Sequence, residues 1–296
     1  MKHYTTIPHS HAPLDTSGIR NQKKAIPFPT GDGRTLPMDL YYPESVAHPL
    51  PLILSVSGGG WYFTGLSSHH LGNSLSAAVS RGYAYASIGC TSSGEEKFPR
   101  QIFEVKAAIR FLRQNAEELR LDPERFGLWS NSSGGHLSLM AALTWKHPFF
   151  DAPQPEYPDI SSRIQAVAAN YPPTRLGISG PQFRELALSP DYDTEGPHCM
   201  ETIFLGKDPS KDPELARFAS PYYYITPEAP PLFLQHGTKD TVVPVTQSYE
   251  FADAYRRIAG PGRIQTNFPE GFVHSDPHLK SEDNCRQVLD FFDAHL

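Results

Sequence analysis

Apolar residues along this chain come in short runs, and the period within each run predicts its structure. Over residues 101–119, Ile102, Val105, Ile109 and Leu112 step by three and four along one face, with Arg and Glu elsewhere, which predicts a helix. Residues 51–56, 83–88, 126–129, 164–169, 232–235 and 264–268 are short β-type runs. Helical patterns fill about 70–81, the stretch carrying Leu137, Leu139, Met140 and Leu143, and 282–295. Strands alternating with helices predict an α/β fold: a mostly parallel sheet covered on both faces. Near the start, 25–28 and 36–42 flank Thr30-Gly-Asp-Gly33, an antiparallel hairpin signal, and their prolines confine these strands to an edge or to bulges.

Two stretches lack periodicity. Residues 1–20 are polar, broken by Pro13, and read as an arm on the surface. Residues 171–230 are rich in proline and read as a cap-like insertion over the carboxyl edge of the sheet, where α/β sheets bind ligands. The whole chain of 296 residues reads as a single domain able to bury a large core.

Composition narrows the class of function. A net charge of −6, spread without long runs, gives no reason to expect nucleic acid or an anionic membrane as partner. No apolar run approaches membrane-spanning length, and the first residues lack the apolar core of a signal peptide. Three scattered cysteines (Cys90, Cys199, Cys285) favour free thiols in a reducing cytoplasm over a disulfide framework, although a secreted protein stripped of its leader would look the same.

The chemistry concentrates at Phe126-Gly-Leu-Trp-Ser-Asn-Ser132-Ser-Gly-Gly-His136. A strand, a sharp turn of small residues and a helix put Ser132 at the apex of an elbow of the type G-x-S-x-G, with Ser130 where the first glycine would stand. A serine hydroxyl is a weak nucleophile until a base within hydrogen-bond reach takes its proton, and that base needs an orienting carboxylate. In the chain order Ser–acid–His, Asp240 follows the strand at 232–235 and His274 follows the last strand, with His278 as the fallback base. His136 reads as structural. The other histidines, the pair His69-His70 included, lack a metal-ligand spacing, so no metal is expected. An oxyanion needs aimed N–H donors. Ser133 supplies one, and the loop Gly58-Gly59-Gly60 after the strand at 51–56 supplies others. No Gly-Lys-Ser/Thr follows that loop, which removes a phosphate-cradling role.

Taken together, Ser57-Gly-Gly-Gly-Trp61, Ser93-Gly-Glu95, Phe98-Pro99, 105–113, Asp122-Pro-Glu-Arg125, the Ser132 elbow, Ser220-Pro221, His236-Gly and Asp240, and Gly271 with His274 resemble the α/β-hydrolase carboxylesterases of the hormone-sensitive-lipase and feruloyl/acetyl-esterase type. The resemblance spans roughly 50–290 in the right order. It implies an α/β-hydrolase fold, a triad of Ser132, Asp240 and His274, an oxyanion loop at Gly58–Gly60, and hydrolysis of short acyl esters without a cofactor. Such acyl groups are often acetyl or hydroxycinnamoyl, carried on sugars. The chain departs from that pattern at Ser57, which replaces a histidine, at Ser130, and at Cys90-Thr91, where a large ring and a charge are lost and an altered pocket wall is implied.

An amide or peptide hydrolase on the same fold would use the same residues, and matched ester and amide substrates discriminate the two. A non-catalytic receptor would be signalled by a lost triad residue, and all three are present. Trp61, Tyr62 and Phe63, with Tyr222-Tyr223-Tyr224, read first as ordinary core and surface packing and second as an aromatic wall for a phenolic acyl group or a sugar, with Trp61 the substrate-binding candidate. The oligomeric state is not legible.

Overall fold

The apolar runs lie side by side in one sheet. In a computed structural model that describes residues 3–6, 16–46, 48–65, 72–151 and 156–296, eight strands take the order β1-β2-β4-β3-β5-β6-β7-β8. They are β1 (Gln22–Pro29), β2 (Thr35–Tyr41), β3 (Leu50–Val56), β4 (Ala84–Ile88), β5 (Leu121–Asn131), β6 (Ala166–Asn170), β7 (Leu232–Gln235) and β8 (Ile264–Asn267). From β4 to β8 every pairing is parallel, while β1 and β2 join antiparallel at one edge. The expected hairpin is therefore present, with a register shift between Lys23 and Ile26. Pro37 is tolerated in β2, an interior strand, because β4 pairs only with the stretch from Met38 onward.

The helices are α1 (Gly72–Arg81), α2 (Arg100–Gln114), α3 (Ser132–Leu143), α4 (Ser179–Glu185), α5 (Met200–Leu205), α6 (Pro213–Phe218), α7 (Thr246–Ile258) and α8 (Glu282–Asp293). Two apolar clusters cover the two faces of the sheet. Leu52 and Leu54, Phe126 and Leu128, and Leu232 and Leu234 point to one face, with α2, α3 and α7. Ile53, Trp129 and Phe233 point to the other, with α1 and α8. The alternation is the pleat of a strand buried on both sides, which is why these strands read as continuous apolar runs. Helix α3 is apolar all round and buried from Ser133 to Leu143, so it is a core element rather than a surface one.

Some sequence boundaries move. The helix expected to reach residue 119 stops at Gln114, where the Asn115 amide bonds back to the Phe111 carbonyl and competes with continued helix. A turn follows, with Arg120 in the left-handed region (φ 56°), and delivers the chain into β5. That strand is longer than its apolar run because Leu121 already pairs with Leu50. Most of the expected arm, the pair His69-His70 and the start expected for α1 lie outside the described residues. Over 171–230 the chain forms α4, α5, α6 and a 3₁₀ turn at Pro221–Tyr224, joined by loops. Among the described residues, no helix is long and apolar enough to cross a membrane.

Candidate active site

Four neighbouring strands end level. Asn131 of β5 pairs with Asn170 of β6, Asn170 with Gln235 of β7, and Gln235 with Asn267 of β8. The residues that leave these ends therefore emerge together at one edge of the sheet. Ser132 follows β5 directly, Tyr171 follows β6, Asp240 stands in the turn after β7, and His274 in the loop after β8.

The elbow is sharp because nothing intervenes between strand and helix. Asn131 is extended (φ −119°, ψ 148°) and Ser132 is left-handed, with φ 53°. A non-glycine residue held there is strained by about 1–3 kcal/mol. Gly134 permits the turn: a Cβ at that position would run into the Val56 carbonyl of β3. Ser130 is not the defect that the G-x-S-x-G pattern suggests. Its hydroxyl accepts from the Val56 amide at 2.9 Å and from Ser138 Oγ at 2.8 Å, tying β5 to β3 and α3 where the strands diverge.

Ser132, His274 and Asp240 come together. Ser132 Oγ lies 3.1 Å from His274 Nε2, and His274 Nδ1 lies 2.7 Å from Asp240 Oδ2. Asp240 is 1% exposed and fully engaged. Its Oδ1 accepts from the amides of Val242 and Val243, both at 2.8 Å, and its Oδ2 is also 3.2 Å from His236 Nε2. Burial by itself would raise the Asp240 carboxyl, but the charge of His274 and the hydrogen bonds from His236 and His274 offset that and hold it well below the usual carboxylate range. An ionised Asp240 accepts from His274 Nδ1, which leaves Nε2 to accept from Ser132. His278 takes no part: it is paired with Asp276 on the surface.

Gly58, Gly59, Gly60 and Ser133 all border the same cavity as Ser132, a space of about 240 Å³. Ser133 lies in the first turn of α3, where no helical carbonyl is available to its amide and the helix end favours negative charge. The glycine loop is pinned by the Tyr62 and Phe63 amides, which donate to the Gly59 carbonyl. At Ser57, where the family pattern has histidine, the hydroxyl donates to the Gly65 carbonyl and closes the same loop.

Trp61 borders the cavity, yet its ring is held in packing. It stacks on Phe204 at 4.5 Å, and its Nε1 donates to His136 Nδ1 at 3.1 Å. His136 Nε2 in turn donates to the Ala219 carbonyl at 2.8 Å. Burial pushes the His136 ring down to about 4, the Ala219 bond opposing only in part, so it stays neutral and structural, as expected. Tyr222, Tyr223 and Tyr224 are held in ordinary packing: Arg175 lies over Tyr222, Arg217 over Tyr223, and Tyr224 against Phe150. Of the aromatic candidates, Trp61 lines the cavity, together with Tyr4, Tyr171 and Tyr192. Nor do Cys90 and Thr91 alter its wall: Thr91 is bound to the Glu104 carboxylate of α2, and Cys90 is buried.

Sequence reasoning missed Tyr171, Val242, Val243 and Ser275, which line the cavity from loops without any period. The rule that ligands bind beyond strand carboxyl ends singles out Tyr171, whose ring lies 4.6 Å from that of His274. Backbone strain marks the site independently. Among the described residues, seven non-glycines have positive φ, and four of them (Trp61, Ser132, Tyr171, Ser275) line this cavity.

Comparison with known proteins agrees with this architecture. The family model described as BD-FAE matches residues 38–255. Esterase LipC of Mycobacterium tuberculosis is 30% identical over 211 residues, which is 71% of this chain and 49% of LipC. A truncated carbohydrate esterase from gut microbiota superposes over 96% of this chain and 99% of its own, with TM-score 0.83 at 22% identity. A bifunctional GH43-CE protein of Bacteroides eggerthii superposes over 92% of this chain and 38% of its own, with TM-score 0.78 at 27% identity. The fold is the α/β-hydrolase fold. The chain spans about half the length of the curated relatives it matches.

Proposed function

The chain belongs to the BD-FAE family, and from that premise we propose that it is a serine carboxylesterase acting through an acyl-enzyme on Ser132. The observation that carries this reading is the continuous hydrogen-bonded chain from Ser132 Oγ through His274 (3.1 Å) to Asp240 (2.7 Å) beside the glycine loop. As Ser132 attacks the ester carbonyl, its proton passes to His274 Nε2, and the Asp240 carboxylate stabilises the imidazolium through Nδ1. The carbonyl oxygen becomes an oxyanion that the amides of the Gly58–Gly60 loop and of Ser133 would stabilise. Collapse expels the alcohol, which takes the proton from Nε2, and water then repeats the sequence on the acyl-enzyme. Trp61, tied to His136, positions the glycine loop. No step requires a metal or cofactor.

The cavity, about 240 Å³, is below the roughly 300–1,000 Å³ of drug-sized ligand pockets. That supports a short acyl group, acetyl first, on a small alcohol or a sugar; a hydroxycinnamoyl ester is the larger candidate. The test compares wild type with Ser132→Ala on aryl acetate, butyrate and octanoate, methyl ferulate, an acetylated sugar and matched amides. Turnover of short esters by wild type, lost by about 10³-fold or more in the variant, is the expected result. Equal activity of the two proteins would sink the assignment of Ser132.

A further inference from the structure

The residue that narrows the Ser132 cavity from the far end of the chain is Tyr4. It belongs to a short 3₁₀ turn, Tyr4–Thr6, 128 positions from the serine it faces. Tyr4 is only 7% exposed. It packs edge-on against Tyr192 at 5.0 Å and Phe63 at 5.3 Å, bridging the loop before α5 and the loop after β3. The preceding residue anchors the turn: His3 Nδ1 lies 3.0 Å from Asp193 Oδ2, and its ring lies 4.1 Å from that of His198.

Tyr4 also touches the glycine loop. A Cβ on Gly60 would sit 2.5 Å from Tyr4 Cε1 and 2.8 Å from Met200 Sδ. The loop backbone, the Tyr4 ring and Met200 therefore meet in direct contact, and all three border the cavity. A ring packed there occupies volume that substrate would otherwise fill. In a close-packed site, a group larger than the remaining space is excluded by steric cost rather than merely bound less well.

We propose that Tyr4 is a specificity-determining residue, a wall that limits the size of the ester accepted at Ser132. The inference rests on the esterase reading and adds to it the element that sets the size limit. Tyr4 is not catalytic: it holds no proton that the reaction moves. Its phenyl ring, not its hydroxyl, forms the barrier.

The experiment measures kcat/KM on aryl acetate, butyrate and octanoate for wild type, Tyr4→Phe and Tyr4→Ala. Tyr4→Phe keeps the ring and should keep the wild-type octanoate-to-acetate ratio. Tyr4→Ala opens the wall and should raise that ratio roughly tenfold or more, the scale on which pockets discriminate by a few methylenes. A uniform fall on all three esters, with the ratio within about twofold of wild type, would mean that Tyr4 only supports the loop, and the proposal fails. A shift in Tyr4→Phe equal to that in Tyr4→Ala overturns it too. The same pair of side chains is compared on a Ser132→Ala background by calorimetry with butyrate and octanoate. There Tyr4→Ala should bind octanoate roughly tenfold more tightly than Tyr4, and equal affinities overturn the wall. If wild type is inactive while octanoate binding responds to Tyr4→Ala, the esterase reading fails and the wall stands.

Discussion

Asp240 shows what one residue contributes here. It sits 1% exposed in a turn, the Val242 and Val243 amides and His274 Nδ1 donate to its two oxygens, and His236 Nε2 lies 3.2 Å from Oδ2. Each bond favours the charged form, so the carboxylate stays ionised and His274 keeps the tautomer needed to accept from Ser132. Asp240→Asn preserves size and can still accept the Val242 and Val243 amides through Oδ1. It should therefore fold, while kcat on a short ester falls by about 10⁴-fold with KM changed little, as expected when the histidine loses its orienting charge. Steady-state kinetics beside a circular-dichroism melt checks both halves. Ser132 was legible from sequence because small residues between a strand and a helix have few other uses. Val243 and Ser275 were not legible: a loop residue facing a cavity carries no period that separates it from one facing solvent.

At the scale of elements, the β5–α3 elbow explains why a departure from the sequence pattern is harmless. Ser130 replaces a glycine of the pattern, and its hydroxyl takes up the Val56 amide that the diverging strands leave unpaired. Restoring glycine by Ser130→Gly should therefore destabilise the protein, by about 1–3 kcal/mol, because a buried donor loses its partner. The measurement is the denaturant midpoint, and an unchanged or higher midpoint would show that water satisfies Val56 equally well. The type of each element in the sheet followed from its apolar run, and β7 at Leu232–Gln235 matches its run end to end. The end of α2 did not follow, since residues 115–119 continue an acceptable helical composition, and the Asn115 bond to the Phe111 carbonyl and the turn at Arg120 stop it.

Across the whole molecule, two buried groups on different elements oppose each other as pH changes. Glu201 of α5 is pushed up to about 7 by burial, although the Gly177 amide and Ser179 hydroxyl donate to it. The folded protein keeps that proton longer than the unfolded chain, so this group's contribution falls as pH rises from about 4.5 to about 7. His136, pushed down to about 4, acts in the reverse sense: the unfolded chain binds the proton first, and stability falls as pH drops from 6.5 toward 4. Each term is worth about 3 kcal/mol over its window. Between pH 4.5 and 6.5 they act in opposite directions. Glu201→Gln should therefore expose acid lability in that range, whereas His136→Gln should give a protein that loses stability as pH rises. Urea midpoints taken at half-unit intervals read both slopes, and parallel curves for all three proteins would refute the pairing. Asp240 adds a separate loss below about pH 3.8, as acid reaches a carboxylate that the fold keeps ionised.

Local patterns along the chain suffice for the α/β class, the strands at the centre of the sheet, the elbow at Ser132 and the expectation that Asp240 and His274 meet it. Those expectations rest on local chemistry: period, small residues at a sharp turn, and chain order. Tertiary structure alone decided which side chains surround the serine. The level ends of β5 to β8 bring Asn131, Asn170, Gln235 and Asn267 into register, so that loops far apart in sequence leave the sheet at one place. The Tyr4 ring closes that space against Gly60 and Met200. A contact of this kind depends on where packing sets two distant segments, and no local pattern in the chain encodes it.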